Sequence, residues 1–190
     1  MKIAILIPAY NTNYCIPDLI KSILLNYNGF IIIVDDGSKD EIIFNHKLVK
    51  IIRNKENRGK GYTLMRGIKF AYNNGFDAVI TIDSDGQHDP SYIKKFINYN
   101  KNIDIVIGAR SFCTKMPYHR RLSNIITSKI ISYLSKADIV DSQSGYRRYV
   151  IKRILELNLK ENGFQFESEV LISAGRRRLG FGSIPISTIY

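Results

Sequence analysis

Short apolar runs rich in β-branched residues alternate along the chain with segments whose apolar residues recur at helical spacing. The runs cover residues 3–7, 30–34, 48–52, 78–82 and 103–107. Strands of this kind separated by helices predict an α/β fold, a mostly parallel sheet with helices on both faces. In such sheets ligands bind beyond the carboxyl ends of the strands, so the polar residues after each run are candidates for a functional site.

The pattern changes after residue 110. A helix is predicted over residues 122–134, and residues 141–150 form a polar stretch that contains glycine and arginine. A further helix and a last strand are predicted over 166–178 and 182–190. No repeat, low-complexity tract or linker divides the 190 residues, so a single domain is predicted.

Composition argues against several classes of protein. Apolar residues make up 45 %, which is typical of a globular domain rather than a disordered one. No apolar run is long enough to span a bilayer, and the apolar start, which stops at Pro8, is too short for a signal peptide. The two cysteines, Cys15 and Cys113, are far apart and suggest neither a disulfide framework nor a zinc site. A cytoplasmic protein is the simplest interpretation.

Positive charge is concentrated in one part of the chain. The formal net charge is +11, and residues 110–153 hold ten Lys/Arg against two acids, which accounts for +8 of it. Such a region predicts an anionic partner, namely phosphate groups, an anionic membrane surface or nucleic acid, unless it is only a solvated face. A basic nucleic-acid-binding module is thus the non-enzymatic alternative. The sequence carries no RNA-binding signature and no evident interleaving of aromatic and basic residues, so no nucleic acid partner is predicted.

Carboxylates gather where the fourth strand ends, in the stretch TIDSDGQHDP. Side chains two residues apart on a strand share a face, so Asp83 and Asp85 can lie together, where a divalent cation would relieve their repulsion. Their oxygens suit Mg²⁺ or Mn²⁺, and Gln87 offers a further neutral oxygen. The alternative is an ordinary capped turn, which we favour for Asp89 as a helix cap. For the other two acids both interpretations stay open, and His88 is interpreted as a loop residue.

Six motifs, taken in order, resemble one protein family. They are IPAYN, VDDGS, NRGKGYTL, DSDGQHDP, GAR and DSQSGYRR. The ordered set resembles family 2 of the nucleotide-sugar glycosyltransferases, which have the GT-A fold, and within it the dolichyl- or polyprenyl-phosphate mannosyl- and glucosyltransferases. The resemblance implies one GT-A domain over residues 1–190, with a nucleotide-sugar-binding half at 1–110 and an acceptor-binding half at 111–190.

The resemblance also implies a donor site at the strand ends. Pro8 and Tyr10 correspond to the wall around the nucleotide base, and Asp36 to the acid that hydrogen-bonds the base. Asp85 and Gln87 match a pair that binds Mg²⁺ or Mn²⁺, which makes Asp85 a catalytic residue. The residues implied to bind the donor nucleotide are Pro8, Ala9, Tyr10, Asp36, Lys60, Asp83 and Ser84.

The implied reaction is the metal-dependent, inverting transfer of a sugar from a nucleoside diphosphate sugar to an acceptor. A polyprenyl phosphate is the first candidate acceptor, because its second pKa of about 6 leaves it mostly anionic at neutral pH. Such an acceptor needs cations to hold it rather than a base. The candidates for this role are Arg110, Arg121 and Arg147.

The alternative acceptor is a sugar hydroxyl in polysaccharide or glycolipid synthesis. A hydroxyl needs a general base, and Asp141 is the first candidate, followed by Glu167 and Glu169. A third enzyme class, the sugar-1-phosphate nucleotidyltransferases, is disfavoured because the first turn, PAYN, is not a glycine-rich loop.

The chain departs from the family pattern in two places. Thr12 stands where many members carry Glu, which removes one expected contact near the base or the metal. The sequence stops just after the predicted last strand, without the transmembrane helices of some members, so stable membrane anchorage is not expected and truncation of a longer protein is one explanation. The helix over 122–134 is interpreted as a core helix with one exposed edge, and peripheral contact with the cytoplasmic face of a membrane is the alternative.

Overall fold

A computed structural model describes residues 1–110 and 118–187 of the chain, without the side chains of 118–121. Seven strands lie in these residues: β1 Ile3–Ala9, β2 Ile31–Asp35, β3 Val49–Arg53, β4 Ala78–Thr81, β5 Ile105–Arg110, β6 Arg147–Val150 and β7 Phe181–Ile186. The α-helices are α1 Ile16–Asn26, α2 Lys60–Asn73, α3 Ile93–Asn98, α4 Tyr118–Ser135, α5 Ile151–Leu155 and α6 Phe166–Arg176.

The described strands form one sheet in the order β3-β2-β1-β4-β6-β5-β7. The strand β6 runs antiparallel to both of its neighbours, and every other pairing in the sheet is parallel. The predicted α/β fold with a mostly parallel sheet is therefore confirmed.

Helices cover both faces of the sheet, as predicted. The alternation along β1 shows why: Ala4 and Leu6 join the core cluster that contains α2 and α6, whereas Ile5 and Ile7 join the cluster that contains α1 and α3. Side chains on one face of β1 therefore pack against α2 and α6, and those on the other face pack against α1 and α3. The polar strand ends are left at the edge of this layered core.

The polar stretch over residues 141–150, where no strand was predicted, contains one, because Arg147–Val150 forms β6 between β4 and β5. This strand does not match an apolar pattern because it begins with Arg147 and Arg148. Both arginine side chains are nevertheless fully buried. Burial lowers the pKa of Arg148, and its guanidinium donates to four carbonyls near the end of α3. These carbonyls belong to Phe96, Tyr99, Asn100 and Ile103.

Other boundaries differ by a few residues. The strand predicted over 103–107 starts at Ile105 and continues to Arg110, and the helix predicted over 166–178 ends at Arg176. The last strand ends at Ile186, and residues 188–190 of the predicted segment lie outside the described residues. Asp89 caps the turn before α3 as predicted, since its side chain accepts a 2.8 Å hydrogen bond from the Ser91 N–H.

The helix α4 was interpreted as a core helix with one exposed edge. Its Ile131 packs in the core, but most of the predicted apolar stripe faces outward, with Leu122, Ile126, Ile130, Tyr133 and Leu134 exposed. None of the helices in the described part of the chain combines the length and the hydropathy needed to cross a bilayer.

Candidate active site

A cleft of about 450 Å³ opens at the carboxyl edge of β1, β2 and β4, beside the first turn of α2. Its lining consists of Pro8, Ala9, Tyr10, Asp36, Asn57, Gly59, Lys60, Thr63, Asp83, Ser84, Asp85 and Phe164. Every residue assigned to the donor nucleotide lies on this cleft, together with Asp85. They meet here because the carboxyl ends of parallel strands lie at one edge of a sheet. Their individual roles stay predictions.

Asp36 shapes the turn that leads into α2. Its buried carboxylate accepts hydrogen bonds from the side chain of Asn54 at 2.6 Å and from the backbone N–H groups of Arg58 and Gly59 at 2.9 and 2.8 Å. Gly59 has a φ of +93°, and a Cβ there would lie 2.5 Å from the carbonyl oxygen of Asn162. The second half of the chain therefore packs directly against this turn.

Lys60 lies between two carboxylates inside the cleft. Its Nζ is 2.7 Å from Asp83 Oδ1 and 3.1 Å from Glu167 Oε2. Burial alone would lower the pKa of Lys60, but the two negative charges outweigh it and raise the pKa above the ordinary value. The ammonium group therefore stays charged in the cleft at neutral pH.

Asp83 is held from its other side by His88. The His88 Nε2 lies 3.3 Å from Asp83 Oδ2, and the imidazole packs 5.1 Å from the ring of Tyr146. Burial would raise the pKa of Asp83, but the hydrogen bond from His88 and the charge of Lys60 lower it far below the ordinary value. His88 lies in the connection between β4 and the turn before α3, as interpreted from the sequence, but it is buried there and supports a cleft carboxylate.

Gly145 leaves space for the carboxylate of Asp83 because it has no side chain. A Cβ on Gly145 would lie 2.3 Å from Asp83 Oδ2, closer than a side chain can approach. The DSQSGYRR motif thus reaches the cleft through a glycine from the second half of the chain.

Asp85 is exposed at the cleft, and its Oδ1 accepts a 3.0 Å hydrogen bond from the backbone N–H of Gln87. Within the described residues, no group of three or more His, Cys, Asp or Glu side chains could hold a metal ion by itself. Mg²⁺ commonly takes one or two carboxylates and completes its shell with substrate phosphates. This carboxylate therefore fits a cation that is shared between the protein and a phosphate-bearing ligand.

Arg110 and Asp141 form a bidentate ion pair at the end of β5. The arginine Nε and Nη2 donate to Asp141 Oδ2 and Oδ1 at 2.8 and 3.1 Å, and the Arg110 backbone N–H donates to Oδ2 at 3.1 Å. The N–H groups of Gln143 and Ser144 complete the set of donors to Asp141.

The surroundings of Asp141 bear on its predicted role as a general base, which stays a prediction. Burial would raise its pKa, but the hydrogen bonds and charge of Arg110 lower it below the ordinary value. A saturated, buried carboxylate that holds its charge so firmly is a poor proton acceptor. Asp141 instead orients the guanidinium of Arg110, which is partly exposed.

Arg147, predicted to bind an acceptor phosphate, is occupied by contacts inside the protein, and its role at the acceptor stays a prediction. Its fully buried guanidinium donates to the carbonyls of Ser142, Ser144 and Glu167, so it braces the fold rather than facing a ligand. Arg121, the third candidate, lies outside the residues whose side chains are described.

The two glutamates considered as weaker base candidates differ in their surroundings. Glu169 accepts hydrogen bonds from the backbone N–H groups of Lys160 and Glu161, so it secures the loop before α6. Glu167 is the partner of Lys60 and lies next to the cleft.

Four cleft residues were not identified as site residues from the sequence, namely Asn57, Gly59, Thr63 and Phe164. Asn57, Gly59 and Thr63 belong to the NRGKGYTL motif, which was available as a signal. Phe164 had none. This aromatic side chain is 79 % exposed, and it reaches the cleft because the Tyr62 N–H donates to the Asn162 carbonyl and fastens its loop to α2.

A family model described as "Glycosyl transferase family 2" matches residues 4–155. The chain belongs to glycosyl transferase family 2. Among its relatives is a UDP-N-acetylglucosamine–dolichyl-phosphate N-acetylglucosaminyltransferase from Methanococcus voltae, 33 % identical over 99 % of this chain and 86 % of the relative. A dolichol-phosphate mannosyltransferase from Pyrococcus furiosus is 32 % identical over 90 % of this chain and 53 % of its own length.

The fold of this family 2 enzyme matches solved structures. A glucosyl-3-phosphoglycerate synthase from Mycobacterium tuberculosis, crystallised with Mn²⁺, UDP and glucosyl-3-phosphoglycerate, superposes with a TM-score of 0.75 at 18 % identity, over 98 % of this chain and 70 % of that one. Similarity at that identity shows the fold alone. The predicted family, the GT-A fold and the glycosyltransferase class are thereby confirmed.

Proposed function

We propose that this family 2 enzyme transfers a sugar from a nucleoside diphosphate sugar to a polyprenyl phosphate, with the help of Mg²⁺ or Mn²⁺. The observation that carries the proposal is the cleft itself, where a charged Lys60 and an exposed Asp85 lie beside a wall formed by Pro8, Ala9 and Tyr10. Two relatives named for dolichyl-phosphate acceptors support the choice of acceptor.

The donor would lie along the cleft from Tyr10 to Asp85. Tyr10 is half exposed and offers a face for a planar base, while Asp36 keeps the turn before α2 in place. Lys60 would contact the diphosphate, since its ammonium is charged and already inside the cleft. When the donor binds, Lys60 would exchange its ion pair with Asp83 for one with a phosphate, so its charge would keep an anionic partner.

The metal would be held by Asp85, with Gln87 as the further ligand implied by the family resemblance. A divalent cation in that position would supply Lewis-acid stabilisation of the charge on a diphosphate leaving group. Solved structures of the mycobacterial synthase with Mn²⁺ and UDP, or with Mg²⁺ and UDP, support this proposal. Asp83 stays ionised beside it because His88 and Lys60 stabilise its charge.

The acceptor phosphate would be bound by Arg110. Asp141 fixes the plane of the guanidinium through two parallel hydrogen bonds, which leaves a pre-oriented cation at the end of β5. A lipid phosphate is already anionic near neutral pH and needs no base. The low pKa of Asp141 makes it a weak candidate for the base that a sugar hydroxyl would need, which supports the lipid-phosphate acceptor. With such an acceptor, the enzyme would work at a membrane, and its cytoplasmic face is the side predicted from the sequence.

A transfer assay with matched acceptors tests the proposal. The purified chain is incubated with radiolabelled UDP- and GDP-sugars, Mn²⁺, and either a polyprenyl phosphate or the same polyprenol without phosphate. We expect label in the organic extract only with the phosphate. Label that appears only with added sugar acceptors would contradict the lipid-phosphate acceptor and favour transfer to a hydroxyl.

A further inference from the structure

Among its described side chains, the helix α4 exposes more large apolar residues than it buries. Its outward side, here called the α4 apolar face, consists of Leu122, Ile126, Ile130, Tyr133 and Leu134, which are 38–84 % exposed. Its inward side carries the buried polar residues Asn124, Ser128 and Ser135 beside Ile131, which packs in the core. A surface helix normally presents these two sides the other way round.

Contacts on the inward side prevent α4 from rotating to bury its apolar face. Ser128 Oγ accepts a 2.9 Å hydrogen bond from the backbone N–H of Ser142, and Ser132 Oγ accepts one of 3.0 Å from the N–H of Ile139. A Cβ on Gly175 of α6 would lie 2.1 Å from the carbonyl oxygen of Ser135, so the two helices touch backbone to backbone. The exposed stripe is therefore built into the fold.

A basic pocket adjoins the α4 apolar face. It has a volume of about 360 Å³, and Lys136, Arg176 and Arg178 line it. None of these cations has an ion-pair partner in the part of the chain that the structure describes. Two of them, Lys136 and Arg176, also line a second depression with Tyr133 and Leu134, so the charged and apolar areas are continuous.

We infer that the α4 apolar face and this basic pocket together dock the protein on an anionic phospholipid membrane. Apolar side chains would enter the interfacial region while lipid phosphates bind Lys136, Arg176 and Arg178. The charge argues against a second copy as the partner, because a symmetric contact through this surface would bring two unpaired basic pockets together. The inference adds to the proposed function the surface through which a lipid-borne acceptor would be reached.

The first test measures binding to vesicles with no donor or acceptor present, so that it stands apart from catalysis. The chain contains no tryptophan, which makes Ile130→Trp a unique fluorescent reporter on the α4 apolar face. We expect its emission to shift to the blue with vesicles of phosphatidylcholine and phosphatidylglycerol, and much less with phosphatidylcholine alone. Leu25→Trp, on exposed Leu25 of α1, serves as the control and should not shift.

The second test uses matched variants in vesicle co-sedimentation. Replacing Lys136, Arg176 and Arg178 together by Gln should weaken binding about fivefold for each cation removed. The charge-matched control replaces the exposed Lys50, Lys55 and Lys69 by Gln and should have little effect. Ile126→Ser with Ile130→Ser should weaken binding by about tenfold or more, whereas Ile43→Ser, at another exposed isoleucine, should not.

Three results would overturn the inference. The first is the absence of wild-type binding to anionic vesicles. The second is an equal loss of binding in the triple variant and its charge-matched control, which would indicate a general attraction of a basic protein. The third is self-association in sedimentation that Ile126→Ser with Ile130→Ser abolishes while vesicle binding is unchanged, which would make a second copy the partner. Circular dichroism of each variant confirms that the exposed substitutions leave the fold intact.

Discussion

At the scale of single residues, the cleft depends on groups that position other groups. Two residues position Asp83: His88 donates a hydrogen bond to its carboxylate, and Gly145 leaves space for it. The sequence indicated Asp83 as a site residue because it follows a strand. It did not indicate these two supports, because their contacts with Asp83 come from folding rather than from local pattern.

Gly145→Ala should disturb the cleft without unfolding the protein. The added methyl would push the Asp83 carboxylate away from Lys60 and His88. We expect nucleoside diphosphate affinity to fall by about tenfold, since overpacking of a well-packed site costs about 1–3 kcal/mol. Calorimetric titration measures it. Gly180→Ala is the control, since a Cβ there has only ordinary contacts, and equal affinities in the two variants would refute the role of Gly145.

The pKa of Asp141 makes a prediction about acid stability. Because the folded protein holds this pKa below the ordinary value of 3.8, the unfolded chain takes up the proton first. The ion pair with Arg110 therefore contributes its full stability at pH values above the unfolded pKa of Asp141, near 3.8. This contribution is lost as the pH falls through the lower pKa of the folded state. In urea titrations across the acid range, Asp141→Asn should lose less stability on acidification than the wild type.

The exposed Asp40 supplies the control for that experiment. Asp40→Asn should keep the acid slope of the wild type, because this side chain is exposed on a loop. If Asp141→Asn also keeps that slope, the ion pair does not contribute to stability in the way described.

At the scale of elements, the ends of strands could be predicted from the sequence. Contacts between residues that are far apart in the sequence could not. Six strands were identified from apolar runs, and the polar residues that follow the first five were enough to collect most of the cleft. The strand β6 was missed because its arginines look like surface residues, although carbonyls satisfy them inside the protein. The orientation of α4 was missed because periodicity locates an apolar stripe without telling which side meets the core.

Arg148→Leu tests the buried arginine of β6. The substitution would leave four carbonyls near α3 without their donor. We expect the free energy of unfolding to fall by about 3 kcal/mol, measured by urea denaturation. Arg177→Leu, at an exposed arginine, should change it by less than about 0.5 kcal/mol. A similar small effect in both variants would show that the four hydrogen bonds are not important for stability.

At the scale of the whole molecule, one sheet joins the two predicted halves of the chain. The strand β6, from the second half, lies between β4 and β5, which come from the first. Through this arrangement Gly145 reaches Asp83, and Glu167 reaches Lys60. The donor side of the cleft is therefore supported by the half to which the acceptor was assigned, so substitutions in either half should affect nucleotide binding.

The net charge of +11 is also distributed in a way that suits two anionic partners. Carboxylates gather at the cleft, where a cation and a diphosphate would meet, while Lys136, Arg176 and Arg178 lie beside the α4 apolar face. The family assignment accounts for the first arrangement. The second is the basis for the proposed contact with an anionic membrane.

The most direct test of the account is a calorimetric titration of UDP and GDP, with and without Mn²⁺, into the wild type and Asp85→Asn. We predict that Mn²⁺ strengthens the binding of at least one nucleotide to the wild type by about tenfold or more, because the cation links Asp85 to the diphosphate. Asp85→Asn should lose this enhancement but keep the metal-free affinity, and Asp40→Asn should behave as the wild type. Binding that ignores Mn²⁺, or an Asp85→Asn variant with the full enhancement, would contradict the account.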